Sequence, residues 1–423
     1  HTKMGKKMRR LCAKAHVGGV LLVLTTFLLC SMVAAEEKPT VATEQEENQQ
    51  LQQGEEEKKI EEKRSAENEL EEQEQQPIEL EETNDEDEET EGTVILSRLP
   101  VEKITIGGFI DLDFDYFDRS DISDKNSDST SDLGLGSVDL ELRVFFNEWV
   151  KSKIVLAADD VGKEDGDEDI KLDEAIMTLE CPYVPLYFVG GKTVLPFGVF
   201  EDRLIVGTIT EELYEVDTVG ATLGFTPDLY GLDISFTVYE GQEIIENLED
   251  FGAHEFTPDR QEEDDVNSFI ANVTLEPVED VFSLSVSYDS EPGDGDRNQT
   301  IGGAFTLEAW KFSVDAEYFT ALEREKGDNG EENKDSAWVV GLAFRPLESV
   351  PLEFVTRYED FDDDESGDQD EVLDYRYVAG FSYKFLKWAT FFFEYNYFKF
   401  ERESGSDAAD ELNSLHFRIG LAF

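Results

Sequence analysis

The chain has 423 residues, and its 36 Lys and Arg stand against 99 Asp and Glu, a formal charge of −63. That excess of acid excludes nucleic acid as a partner, because phosphate binding needs a basic surface that releases counterions. Hydrophobic residues make up 39% and no long apolar run follows the N-terminal region, which excludes a bundle of membrane helices.

Residues 1–35 read as an export signal. Lys3, Lys6, Lys7, Arg9, Arg10 and Lys14 precede the apolar run Val17–Cys30, and Val33-Ala34-Ala35 supplies the small residues of a cleavage site. Residues 36–100 read as an acidic leader in the periplasm. Glu36–Glu91 holds 24 acids, five bases and no aromatic residue, too little apolar surface to offset chain entropy. Leu51, Ile60, Leu70, Ile78 and Leu80 are too sparse for a heptad seam, so a disordered or partly helical tether is expected.

From Lys103 the apolar residues recur with period two. Ile104, Ile106, Ile110, Leu112, Phe114 and Tyr116 alternate with polar neighbours, which gives a strand one apolar and one polar face. The pattern returns along the chain to Leu415, Phe417, Ile419, Leu421 and Phe423. Weaker strands near Lys151–Asp159, Leu172–Glu180 and Leu186–Lys192 bring the count to sixteen. Long connections, beginning with Asp118–Gly136, alternate with short ones such as Asn147–Trp149. Trp149, Trp310 and Trp388 mark short turns, as an interfacial belt would. The fold class expected for residues 101–423 is therefore all-β: a transmembrane antiparallel β-barrel of 16 strands behind an acidic low-complexity N-terminal leader. Its place is the outer membrane of a Gram-negative cell, among lipid and lipopolysaccharide, with leader and termini periplasmic. The terminal Phe423 is the expected signal to the barrel assembly machinery.

Sixteen strands enclose a lumen too wide for side chains to fill, so a water-filled channel for small solutes is expected. The third long connection, Val194–Val216, is less polar than the others. In porins the third loop folds inward, and Pro196, Phe197, Gly198, Glu201, Asp202, Glu211, Glu212 and Glu215 are the expected constriction. Asp111, Asp113, Asp115, Arg143, Lys192, Arg357, Arg376 and Arg418 are the expected lumen-facing charges. Cross-strand neutralisation accounts for most such pairs, while some bases set against the loop's acids would create a transverse field.

No enzyme is expected. Cys181 is alone beyond the export signal, and His254 and His416 lie in neither an HExxH nor a GxSxG setting. No cofactor and no metal site is expected either. Asp362-Asp363-Asp364-Glu365-Ser366-Gly367 begins like a calcium loop, but the twelfth position is Leu373 where a bidentate Glu is needed.

Ile106-Gly107-Gly108-Phe109-Ile110, Gly190-Gly191-Lys192 leading into Pro196-Phe197-Gly198, the stretch Thr208–Val216 and the terminal Phe423 together resemble the LbtU-like family of siderophore-type porins. The resemblance spans Ile104–Phe423 and implies diffusive passage of a small ferric siderophore. A homotrimer is the assembly expected of a porin. A general cation-selective porin and a non-conducting structural barrel anchoring the envelope remain the alternatives.

Overall fold

The computed structural model describes residues 101–120, 128–163, 169–200, 203–253, 265–293, 296–326, 334–347, 349–363, 373–400 and 411–423. Sixteen strands close on themselves: β1 (Lys103–Ser120), β2 (Asp128–Asn147), β3 (Val150–Val161), β4 (Lys171–Glu180), β5 (Leu186–Val194), β6 (Asp217–Phe225), β7 (Leu232–Tyr239) and β8 (Ser268–Val278) form the first half. The second half is β9 (Phe282–Glu291), β10 (Asn298–Ala309), β11 (Phe312–Glu323), β12 (Asp335–Phe344), β13 (Leu352–Asp363), β14 (Leu373–Leu386), β15 (Ala389–Phe400) and β16 (Glu411–Ala422). Each strand pairs antiparallel with its sequence neighbours, and β16 returns to β1. Among the described residues two short helices interrupt the connections, α1 (Ile209–Tyr214) after β5 and α2 (Glu243–Asp250) after β7.

The period-two pattern turns the usual globular arrangement inside out. Leu112 and Phe114 face outward and are exposed, while Asp111, Asp113 and Asp115 between them are buried on the inner face. The same holds round the ring, where Leu140, Leu223, Phe236, Val286, Leu342 and Phe354 are all exposed. A continuous apolar exterior of this extent suits lipid, not water. Aromatic rings mark both ends of the wall. Trp149, Trp310 and Trp388 stand exposed at short turns. At the other end Trp338, Tyr358, Tyr375, Tyr377 and Tyr397 touch ring to ring across β12–β15.

Two expectations about connections are corrected. The stretch Asp118–Gly136 is mostly strand, because β1 runs to Ser120 and β2 starts at Asp128. Its Asp, Ser and Gly residues read as loop, yet the ladder continues from Phe117↔Thr130 to Asp113↔Gly134. The connections after β5 and β7 are not wholly irregular either, since each carries a helix.

The ring closes through the last residue. Phe423 donates its N–H to Gly108 O (3.0 Å) and accepts from Gly108 N–H (3.1 Å). Removing Phe423 should therefore lower the yield of folded, heat-modifiable protein in the membrane fraction. An unchanged yield would count against a role for this residue in assembly.

Candidate functional site

The connection between β5 and β6 is the most heavily held segment inside the barrel. Its neck continues the β5–β6 ladder through Leu195 N–H to Val216 O (2.8 Å). Gly198 takes φ +96°, and a Cβ there would lie 2.5 Å from the Phe200 ring, so the turn requires glycine. Further on, Thr208 caps α1. Its hydroxyl accepts from Glu211 N–H (3.0 Å), and the Glu211 carboxylate accepts from Thr208 N–H (3.1 Å). This reciprocal capping box is legible in the sequence as Thr208-Ile209-Thr210-Glu211, although periodicity over so short a helix gives no signal.

Wall carboxylates hold the loop's backbone donors. Glu317 on β11 accepts from Val199 and Phe200 N–H at 2.9 and 3.0 Å. On β15, Glu394 accepts from Ile205 and Val206 N–H at 2.5 and 3.3 Å. Glu359 on β13 accepts from Ile209 N–H at 2.8 Å. Wall arginines hold the loop's carbonyls: Arg357 donates to Val206 O and Gly207 O (2.7 and 2.9 Å), and Arg376 donates to Gly207 O (2.6 Å). Arg203 of the loop reaches Asp315 (3.3 Å), Glu308 (3.2 Å) and Ser313 (2.9 Å). Hydrogen bonds to charged groups contribute roughly 1.5–3 kcal/mol each, so the loop is fixed firmly. In a ring of sixteen, β13 and β14 stand eight places from β5 and β6. The loop that leaves β5 and re-enters at β6 thus crosses the lumen to the opposite wall.

Apolar packing follows the same path. Leu204 enters a niche made by Ala343, Val355 and Val378, and Gly380 leaves room for it, since a Cβ there would lie 2.9 Å from Leu204. Phe319 packs against Phe197, Phe200 and Tyr214 at centroid distances of 5.2, 5.8 and 4.8 Å. From the connection after β7, α2 adds Ile244, Ile245 and Leu248 to this cluster. It is tied by Asn247 Nδ2 to Glu215 O (2.8 Å) and by Ile244 N–H to Glu291 (3.0 Å).

Of the residues expected at a constriction, Pro196, Phe197, Gly198, Glu211, Glu212 and Glu215 belong to this crossing loop. Glu201 and Asp202 lie outside the described residues. Phe197 is fully buried and serves as an anchor. Glu211 caps the helix, while Arg376 Nη1 donates to Glu212 at 3.2 Å. Burial pushes the Glu215 carboxyl up to about 7, helped by the charges of Glu211, Asp217 and Asp173 and opposed by Lys192. Burial also raises Glu243, against a hydrogen bond from Thr218.

The expected lumen-facing charges divide. Arg357 and Arg376 do point inward, but they are 4% and 1% exposed and engaged with Glu359 at 2.5 and 2.6 Å. They are loop anchors, not free charges for a passing solute. Asp111 and Asp113 face Arg418 at 3.4 and 2.8 Å, and Asp115 meets His416 and Lys163 at 2.7 and 2.9 Å. Arg143 remains half exposed beside Glu141 (2.7 Å), and Lys153 links Glu141 to Glu174. Lys192 is corrected. It stands opposite Ala175 and Val219, on the outward face with the exposed Leu223, and pairs with Asp217 at 2.7 Å. Gly190 and Gly191 carry no side chains, so the alternation that would have set its facing is blank there.

With its carboxyl pushed up to about 7, Glu215 loses charge progressively as the pH falls through neutrality. Cation conductance should fall as the pH drops from 8 to 6, and Glu215→Gln should remove that step. Conductance recorded in fixed KCl at each pH checks it.

The sequence matches no protein-family model and no curated protein. The fold, however, is similar to solved outer-membrane channels. An anion-selective porin from Comamonas acidovorans aligns over 76% of this chain and 99% of its own, with a TM-score of 0.54 at 13% identity. The outer membrane channel DcaP of Acinetobacter baumannii aligns over 76% and 97%, with a TM-score of 0.56 at 13% identity. OmpF of Salmonella typhi, in complex with daunomycin, aligns over 77% and 98%, with a TM-score of 0.56 at 11% identity. The architecture is thus that of the outer-membrane porins. The narrower siderophore-type resemblance continues to rest on the sequence residues that carry it.

Proposed function

We propose that the protein is a porin of a Gram-negative outer membrane: a water-filled channel through which small solutes diffuse past the β5–β6 loop. The observation that carries this reading is the loop's path across the lumen, held by Glu317, Glu359 and Glu394 on the far wall. A segment so placed narrows the passage, and the accessible charges of Arg143, Glu141 and Lys153 line what it leaves. The transport step needs no covalent chemistry and no cofactor. Long connections face outward near lipopolysaccharide in this reading, and short turns, termini and the acidic leader face the periplasm. Protease added to intact cells should then cut within 240–266 or 360–373 and spare 277–280. Cleavage confined to the short turns would reverse the orientation.

Proteoliposome swelling tests the diffusion reading. Small neutral and cationic solutes should enter at rates that fall with size, and vesicles that swell no faster than protein-free ones would refute it. Passage of a ferric siderophore is the narrower proposal, supported by the family resemblance. Growth on defined ferric chelates, with and without the gene, tests it separately. A homotrimer is the proposed assembly.

A further inference from the structure

A pocket opens on the outer side of the wall, at the long-connection end of β8–β11, away from the lumen. The lipid face below it is apolar, with Phe236, Val273, Leu284 and Val286 exposed. Steps of two along β8 and β9 carry that face from Val273 to Phe269 and from Val286 to Tyr288. Phe269 stacks on Phe236 at 5.7 Å and meets Tyr288 at 6.0 Å between ring centroids. Just beyond these rings the face turns polar. Asn267, Arg297, Gln299 and Glu323 line an open pocket of about 490 Å³, with Asp296 beside them. Small-molecule sites occupy roughly 300–1,000 Å³, so the size suits a sugar headgroup.

Arg297 is fixed in this pocket on three sides. Its guanidinium lies over the Phe269 ring at 5.6 Å. Nε donates to Ser290 Oγ (2.7 Å), and Nη2 donates to Ser290 O (2.6 Å) and Asn267 O (3.0 Å). Among the described residues Nη1 has no hydrogen-bond partner, which leaves its two hydrogens for a ligand. The acids nearby are already matched. Lys326 Nζ stands 3.9 Å from Asp296, and Glu323 accepts from Gln299 Nε2, whose Oε1 accepts from Tyr288 OH at 2.8 Å. Two bases thus balance two acids, in a domain where acids outnumber bases three to one. Such a set does not attract a polyanion at large. It offers one fixed guanidinium for one phosphate, and amides and carboxylates for hydroxyl groups.

We propose that this pocket binds the phosphorylated sugar headgroup of an outer-leaflet glycolipid, with the acyl chains lying down the face of Phe269, Tyr288 and Phe236. Arg297 Nη1 donates to the phosphate, and Gln299, Glu323 and Asn267 meet the sugar hydroxyls. Aromatic rings one step below a fixed cation match the order of a lipid at the membrane boundary, with acyl chain beneath headgroup. A free sugar phosphate would gain nothing from those rings. The inference rests on the reading that the long connections face outward, and it does not require the channel to conduct.

Native mass spectrometry of the folded protein in neutral detergent, titrated with diphosphorylated lipid A, tests the proposal. The wild type should retain lipid A, and Arg297→Gln should bind it at least about tenfold more weakly, the loss of one charge-assisted hydrogen bond. Arg297→Lys keeps the charge and should recover part of the binding, whereas Lys387→Gln at a short turn should bind as the wild type does. Heat-modifiable mobility confirms that each variant is folded. Phosphatidylglycerol and glucosamine 1-phosphate, titrated in the same way, should bind at least about tenfold more weakly than lipid A. Equal binding by folded Arg297→Gln, no recovery in folded Arg297→Lys, or no lipid A on the wild type would overturn the proposal. So would phosphatidylglycerol binding as tightly, which marks any anionic lipid, or glucosamine 1-phosphate binding as tightly, which marks a free phosphate. Because the titration needs neither conductance nor orientation, its failure beside intact current steps and outward loops would sink this inference alone.

Discussion

Across a KCl gradient, the purified protein in a planar bilayer should give a reversal potential of the sign that marks cation preference, and the preference should shrink as salt rises. Residues 92–423 hold 75 acids and 25 bases, a net charge of −50. Several of those bases are spent: Arg357 and Arg376 lie buried against Glu359, and Arg203 against Asp315 and Glu308. Glu211, Glu212 and Glu215 meanwhile ride on the crossing loop. A fixed negative field concentrates cations and repels anions, with a reach of about 10 Å at 0.1 M salt. One charge about 4 Å from the ion path contributes about 1 kcal/mol in water, or about fivefold in relative permeability at low salt. Replacing Glu211, Glu212 and Glu215 by Gln should therefore cut the preference several-fold, with less from Glu215 near neutral pH because its carboxyl titrates at about 7. Gln at 211 keeps the capping geometry, so the helix survives the test. Neutralising Asp362–Asp364 instead probes the rim; if only that change alters selectivity, the crossing loop is not the filter. The comparison with the anion-selective porin from Comamonas acidovorans carries no expectation here, because a shared fold leaves the lumen charges free to differ.

Releasing the crossing loop should have the second large effect. Glu359 is fully buried and joins Arg357, Arg376 and Ile209 N–H at one point. Glu359→Gln leaves two buried guanidinium groups without their main counter-charge, a change that costs roughly 3–5 kcal/mol when one partner of a buried pair is removed. The barrel hydrogen bonds are untouched, so the expected outcome is a folded barrel with a loosened loop. Its channels should show higher mean conductance and greater open-channel noise than the wild type. Arg376→Met combined with Glu359→Leu also deletes the bonds to Gly207 O, Glu212 and Ile209 N–H, and should loosen the loop further than Glu359→Gln does. Single-channel records of the two variants check the order. Equal and wild-type-like traces would mean that the loop is held by its apolar contacts alone.

The strands were legible because a wall between lipid and water imposes strict alternation, and β16 (Glu411–Ala422) shows it as plainly as β1. Where glycine or short polar residues replace the apolar set, the pattern fails. Lys192 lost its facing behind Gly190-Gly191, and the ends of β1 and β2 read as loop from Asp118 to Gly136. The crossing loop was legible as an unusual composition, but neither α1 nor its grip was read, although the Thr208–Glu211 spacing carries the capping signal. Glu317, Glu359 and Glu394 lie more than 100 residues from the backbone they hold. The sequence therefore shows Arg357 and Arg376 as inward charges without showing what neutralises them. His416 meets Asp115 from the other end of the barrel domain, a partner that only ring closure supplies.

Single-channel conductance of the purified, folded protein in a planar bilayer tests the channel itself. In the proposed channel a water-filled path passes the crossing loop, so discrete, uniform current steps are predicted that scale with KCl concentration at high salt. A folded barrel that inserts and yields no steps would contradict the account and leave a structural barrel in its place.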